Sequence, residues 1–280
     1  MLVRDQACCP AVFTGILCAA MQNTNTTKTP KEKEGNVHNI FNFILCPSYH
    51  GATILARVLT SHPRIVCLGD TLPIKAFTAE SRCSCGQLYT ECKFWREINA
   101  RFDSPDKANE PYLLPVVPRF SSYPLCNTLI YRSLLLAAQT CGGWVWKLAG
   151  KKPERFLGDH IRFCESVCEL QQKRTYVDGV KAVRRVEILR SLTPRKVRFR
   201  VIHLTRSPMG FLHSCRKTGE LTDVNTCASL WNKTHKTIMR SRSLRNKCSY
   251  LRIRYEDFCR QPRSTLNEIA SFLGEEPYEL

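Results

Sequence analysis

The chain has 280 residues, room for one large domain or one domain with an extension. Its hydrophobic content of 43% is ordinary for a globular core, and Lys+Arg outnumber Asp+Glu by 42 to 24, a net charge of +18. That surplus favours anionic partners: nucleic acid, polyanionic glycans, phosphorylated cofactors or acidic membranes. With no RNA-binding motif, DNA-reading helix or internal repeat in the sequence, nucleic acid and repeat architectures drop out, and the charge reads as a field for a glycan or a cofactor.

In chain order, residues 1–37 separate from the rest. Ala7–Met21 is an uncharged, mostly apolar run, shorter than the roughly 20 residues of a spanning helix and carrying Pro10. It fits a signal-peptide h-region or a short signal anchor better, against the alternative of a frayed soluble start. The polar stretch Gln22–Asn36 reads as a linker or stem. Residues 38–280 make up the folded domain. Phe41–Cys46 reads as a strand, Pro47–Gly51 as a turn and Ala52–Ser61 as a helix with Ile54, Leu55, Val58 and Leu59 on one face. Ile65–Leu68 is a further apolar run that closes at Gly69-Asp70. The middle of the chain, Thr71 to Arg174, reads as loops and helices with little sheet, including helices over Leu129–Gln139 and Pro153–Gln172.

Thr175–Val180 follows as a strand, Val183–Leu192 as a helix and Val197–Leu204 as a strand. Helices are expected over Pro208–Lys217 and Asn225–Ser241, then a strand over Tyr250–Arg254 and a helix over Pro262–Leu273. Alternating short strands and helices indicate an α/β fold, with a central mainly parallel sheet flanked by helices in three layers.

Three places in this pattern suit a phosphorylated ligand. Gly51 in the turn Pro47–Thr53 lets backbone approach an anion at a helix start, and Thr53 adds a hydroxyl. The GxxxxGK[ST] spacing of a Walker loop is absent. Lys181 lies just past a strand end, where ligands of open α/β sheets bind. Arg206 closes the strand Val201–Leu204, and Ser214 follows eight residues later. An arginine fork plus a hydroxyl suits one phosphate, so two separated phosphate groups are implied. The Tyr255-Glu256-Asp257 corner reads as structural bonding at a strand end and helix start.

These segments resemble the sulfotransferases that use 3′-phosphoadenosine-5′-phosphosulfate (PAPS), particularly carbohydrate, Golgi and related bacterial types. Tyr49–Leu55 with Ser61-His62-Pro63 resembles the family's first strand–loop–helix, and Val177–Lys181 with Arg184 its central element. Val201–Arg216 resembles VIHLVRDPRAVxxSR, and Tyr250–Gly274 resembles YLRVRYEDL…FLG. The pairs Cys83-Ser84-Cys85-Gly86 and Cys92-Lys93-Phe94-Trp95 match a cysteine pattern of some members.

The resemblance implies a P-loop-like fold and sulfuryl transfer from PAPS to a hydroxyl or amine, most simply of a carbohydrate. It implies no metal. Tyr49, His50, Gly51, Ala52, Thr53 and Ile54 would hold the 5′ side, Arg206 and Ser214 the 3′-phosphate, and Lys181 or Arg184 would lie near the cofactor. Asp70 is the first choice of base, with His50 second. If Ala7–Met21 is an anchor, the chain is a type II protein of the Golgi; otherwise it is cytoplasmic.

The chain departs from the family pattern at Tyr49 (usually Arg or Lys), His50 (usually Ser), Ala52 (usually a hydroxyl) and Ser207 (usually Asp). The competing readings are a weakened or inactive member that binds PAPS or glycan, and a P-loop kinase-like enzyme. Sixteen cysteines are compatible with an oxidising compartment. Cys83, Cys85 and Cys92 read as a disulfide or buried thiols in preference to zinc, because C-x-C with one distant Cys departs from the usual ligand spacing.

Overall fold

The computed structural model describes residues 39–69, 81–83, 85–102, 112, 114–179, 181–219 and 223–278. The run Ala7–Met21 and the carboxylate of Asp70 lie outside the described residues. Among those described, no helix is long and apolar enough to cross a membrane.

Strand β1 (Asn39–Leu45) leads through a tight loop into α1 (Ala52–Thr60) and then β2 (Ile65–Cys67). The middle region supplies α2 (Lys93–Ala100), α3 (Pro124–Cys141), a 3-10 segment (Gly143–Ala149) and α4 (Lys152–Leu170). Then come β3 (Thr175–Asp178), α5 (Val183–Leu192), β4 (Arg200–Thr205), α6 (Pro208–Thr218) and α7 (Val224–Arg240). The described part closes with α8 (Arg242–Lys247), β5 (Ser249–Arg254), α9 (Tyr255–Arg260) and α10 (Pro262–Leu273).

The five strands form one sheet in the order β2-β3-β1-β4-β5, every neighbouring pair parallel. The expected α/β architecture is the one observed. Parallel strands covered on both faces must be largely apolar on both, as β1 and the inner part of β4 are, whereas the edge strand β5 is mostly exposed. Phe43, Leu45 and Val201 enter one core, roofed by Leu135 and Ala138 of α3, Phe163 and Val167 of α4, and Val186 and Leu189 of α5. Ile44, Ile202 and Leu204 face the opposite core, with Leu55 and Leu59 of α1 and Leu266, Ile269 and Leu273 of α10. Each fully buried side chain of this size contributes roughly 1.5–3 kcal/mol.

The expectation of little sheet in the middle region holds: an isolated bridge, Arg82 to Leu88, is present there among the described residues. Helix α3 starts five residues earlier than the apolar pattern suggests, because Pro124 occupies the first turn, where its missing N–H costs no hydrogen bond. This region is tied to the sheet by Arg185. Its guanidinium is fully buried, pairs with Asp178 at 3.0 Å and donates to the carbonyls of Leu114 and Pro115. Removing one member of such a buried pair costs roughly 3–5 kcal/mol.

Candidate functional site

The strand order reverses beside β1. After β1 the chain builds the β3–β2 side of the sheet, and β4 and β5 lie on the other. The loops leaving β1 and β4 therefore part at their carboxyl ends, the place where open α/β sheets form a ligand crevice.

Arg206 stands in this crevice at the end of β4. Its Nη1 donates to the Tyr49 carbonyl at 2.8 Å and to Ser214 Oγ at 2.8 Å, so one amino group joins the β1 loop to α6. The guanidinium carbon lies 4.5 Å from the centre of the Tyr255 ring, and Trp231 Nε1 donates to the Arg206 carbonyl at 3.0 Å. Arg206 Nε and Nη2 make no hydrogen bond among the described residues, which leaves the outer edge of the fork for an anion. A Cβ on Gly210 would come within 3.0 Å of Arg206 Nε, so glycine there keeps α6 close beneath the guanidinium. The carboxylate of Glu256 accepts from the Ser207 N–H at 2.8 Å, and Ser207 Oγ caps α6 by accepting from Gly210 N at 3.1 Å. Ser207 thus performs the capping that an Asp at this position would also perform.

The β1 loop offers backbone. Tyr49 has φ 60° and Gly51 φ 84°, two left-handed residues that turn the chain sharply into α1. A Cβ on Gly51 would sit 2.2 Å from the Tyr255 ring, so the position requires glycine twice over. Helix α1 begins with no side-chain cap, and the first-turn N–H groups of a helix have no partner within it. Thr53 and Ile54 are exposed there, whereas Ala52 is buried against the core. A hydroxyl at position 52 would gain nothing, and the loop presents N–H groups in its place.

His50 is a correction to the sequence reading, which offered it as a ligand donor or base. Its ring is fully buried, and both ring nitrogens are engaged. Nδ1 meets the Ser48 carbonyl at 3.0 Å and therefore carries a proton; Nε2 is the acceptor, 3.0 Å from His235 Nε2. His235 must then donate through Nε2 and accept through Nδ1, which lies 2.8 Å from His203 Nε2. His203 Nδ1 in turn accepts from the Tyr250 hydroxyl. One carbonyl thus sets the tautomer of three neutral imidazoles in a row.

Burial pushes the histidines down: His50 to about 4, with the Ser48 bond opposing; His235 to about 4; and His203 to about 3, aided by the charge of His235. His50 positions the loop; it does not reach into the crevice. His203, His235, Tyr250 and Trp231 were missed by sequence reasoning. The available signal was His203, a polar residue inside the apolar strand Val201–Leu204.

The remaining candidates divide. A Cβ on Gly179 would sit 2.4 Å from the Gly69 carbonyl, so the loops after β2 and β3 run in contact. Lys181, at φ 57°, is half-buried at the start of the turn into α5. Arg184 pairs with Glu187 at 3.2 Å. It lines a groove of about 680 Å³ between α5 and α7 with Lys233, Lys236 and Arg240. These three lie on one face of α7 at three- and four-residue steps and have no ion pair among the described residues. Arg184 belongs to this groove.

A profile of the sulfotransferase family matches residues 137–279, half of the chain, spanning Arg206, Ser214 and the Tyr255 corner. The chain belongs to the sulfotransferase family. Two solved structures are similar to this sulfotransferase. One is the sulfotransferase domain of the olefin synthase from Synechococcus PCC 7002, 17% identical, covering 90% of this chain and 79% of that one, with a TM-score of 0.46. The other is the sulfotransferase domain from the curacin biosynthetic pathway, 16% identical, covering 86% and 75%, with a TM-score of 0.48. A comparison with curated protein sequences finds no match.

Proposed function

We propose that this sulfotransferase binds PAPS across the crevice and transfers the sulfuryl group to a hydroxyl or amine of a carbohydrate acceptor. The observation that carries the reading is the Arg206 fork, held by Tyr49 and Ser214 with its outer N–H groups unspent. PAPS supplies an activated sulfuryl group; the chain supplies positions for its two phosphate ends. Arg206 and Ser214 suit the 3′-phosphate, and the uncapped first turn of α1 suits the 5′ side. Backbone N–H groups aimed at a developing negative charge stabilise a transition state without a side-chain cation. That role matters here because Tyr49 brings no charge and His50 is neutral. Lys181 is assigned to the leaving phosphate and Asp70 to the acceptor proton, both on position along the strands. The groove of Arg184, Lys233, Lys236 and Arg240 supports an acceptor that carries its own carboxylate or sulfate groups.

A second reading has one observation in its favour: the β1 loop carries no charged side chain, which fits a member that binds the donor and transfers slowly. Thermal shift separates the readings. Stabilisation by adenosine 3′,5′-bisphosphate, and not by ATP with magnesium, supports the PAPS site; the reverse result supports a kinase-like enzyme. Labelled sulfate transfer across a glycan panel then tests catalysis, and binding without transfer selects the weakened member. Asp70→Asn should retain bisphosphate binding and lose transfer; normal turnover removes Asp70 as the base.

A further inference from the structure

Residues 81–83 and 85–92 pack together against the amino end of α2. Cys83 N–H donates to the Gln87 carbonyl at 2.8 Å, and Gly86 N–H to the Cys83 carbonyl at 2.9 Å. Gly86 takes φ 87°, so the reversal needs a residue without a Cβ. Cys92, in extended backbone, is the residue that precedes α2. The turn folds Cys83 and Cys85 back onto it, and the three sulfurs all lie within 4.8 Å of one another.

The separations choose between the chemistries open to three thiols. Cys85 Sγ and Cys92 Sγ are 3.7 Å apart, whereas a disulfide requires about 2.05 Å. A zinc–sulfur bond of about 2.3 Å in tetrahedral geometry sets its sulfurs about 3.8 Å apart. A disulfide would leave one of the three thiols over. Cys92 stands at the N-cap position of the eight-residue helix α2 and makes no side-chain cap hydrogen bond, so the helix start does not tie up its sulfur. Linear spacing argued against zinc because only one residue separates Cys83 from Cys85; the Gly86 turn overcomes that by doubling the chain back.

We propose that Cys83, Cys85 and Cys92 form a zinc site that ties the 81–92 turn to α2, with the fourth position taken by water or another small donor. Its role is structural. It holds α2 where Trp95 and Ile98 enter the core, and it acts independently of the sulfuryl-transfer site.

Metal analysis of the full chain, purified with reductant and without chelator, tests this. The expected result is one zinc per chain, lost in Cys85→Ser and Cys92→Ser and retained in Cys126→Ser, an exposed cysteine elsewhere. Should the serine variants fail to fold, cobalt exchange into the unmodified chain decides, with sulfur-to-cobalt charge-transfer bands expected. Absence of zinc together with absence of those bands overturns the proposal. So does a Cys85–Cys92 disulfide in peptide maps, or full zinc content in folded Cys92→Ser.

Discussion

The strands on either side of the crevice end in opposite chemistry. β4 ends in a cation, Arg206, whose guanidinium is half-exposed with two nitrogens unspent. β1 ends in a neutral loop backed by three buried imidazoles, and what it turns outward is backbone. At the crevice, Arg206 joins the two sides by donating to the Tyr49 carbonyl. On the proposed reading, the β1 side would hold an anion with little side-chain charge, through backbone N–H groups that a rigidly held loop aims.

The largest expected effect comes from charging the dry side. The folded histidines titrate near 3 to 4, below their ordinary value of 6.5, so the unfolded chain binds more protons at mildly acid pH. Their contribution is present above about pH 6.5 and is lost as pH falls toward 4. Each one loses roughly 2 kcal/mol by pH 5. Melting temperature should drop steeply from pH 7 to pH 5. A flat profile would mean that the imidazoles are solvated.

Arg206→Ala attacks the charged side. Loss of a charge-assisted fork should weaken adenosine 3′,5′-bisphosphate by roughly 100-fold in calorimetry. Unchanged affinity would move the phosphate site elsewhere.

Gly51→Ala attacks the joint. A methyl group against the Tyr255 ring, at φ 84°, should cost roughly 1–3 kcal/mol of stability by thermal unfolding. It should lower transfer more than bisphosphate affinity. The smallest effect belongs to Ser214→Ala. It removes one neutral hydroxyl and leaves Arg206 its Tyr49 anchor, so affinity should fall several-fold, about 1 kcal/mol.

Much of the fold was legible in the sequence because its signals are local. The apolar run before Pro47, the helical spacing of Leu55 and Leu59, and the strand Val201–Leu204 with its Arg-Ser-Pro turn each declare an element within a few residues. Arg206 and Ser214 are eight apart on one strand–turn–helix, so their pairing follows from local geometry. His50 was misjudged for the opposite reason. Its partners His235 and His203 sit on α7 and β4, and nothing in the loop sequence says that an imidazole will be waiting behind it. Arg184 was drawn toward the cofactor by its nearness to Lys181, yet its first helical turn carries it to the groove with α7. The cysteines of residues 83–92 were judged on spacing, and a single glycine turn changed which atoms meet.

The sequence alone determined the alternation of strands and helices, the glycine at position 51 and the cation at the end of β4, because these rest on backbone freedom, periodicity and charge within short windows. Only the tertiary structure decided that the β1 and β4 loops share a crevice, that Tyr255 packs between Gly51 and Arg206, and that three histidines align behind the loop. Neighbours in a parallel sheet lie far apart along the chain, and the order in which the strands assemble is set by packing both faces at once, which no short window records.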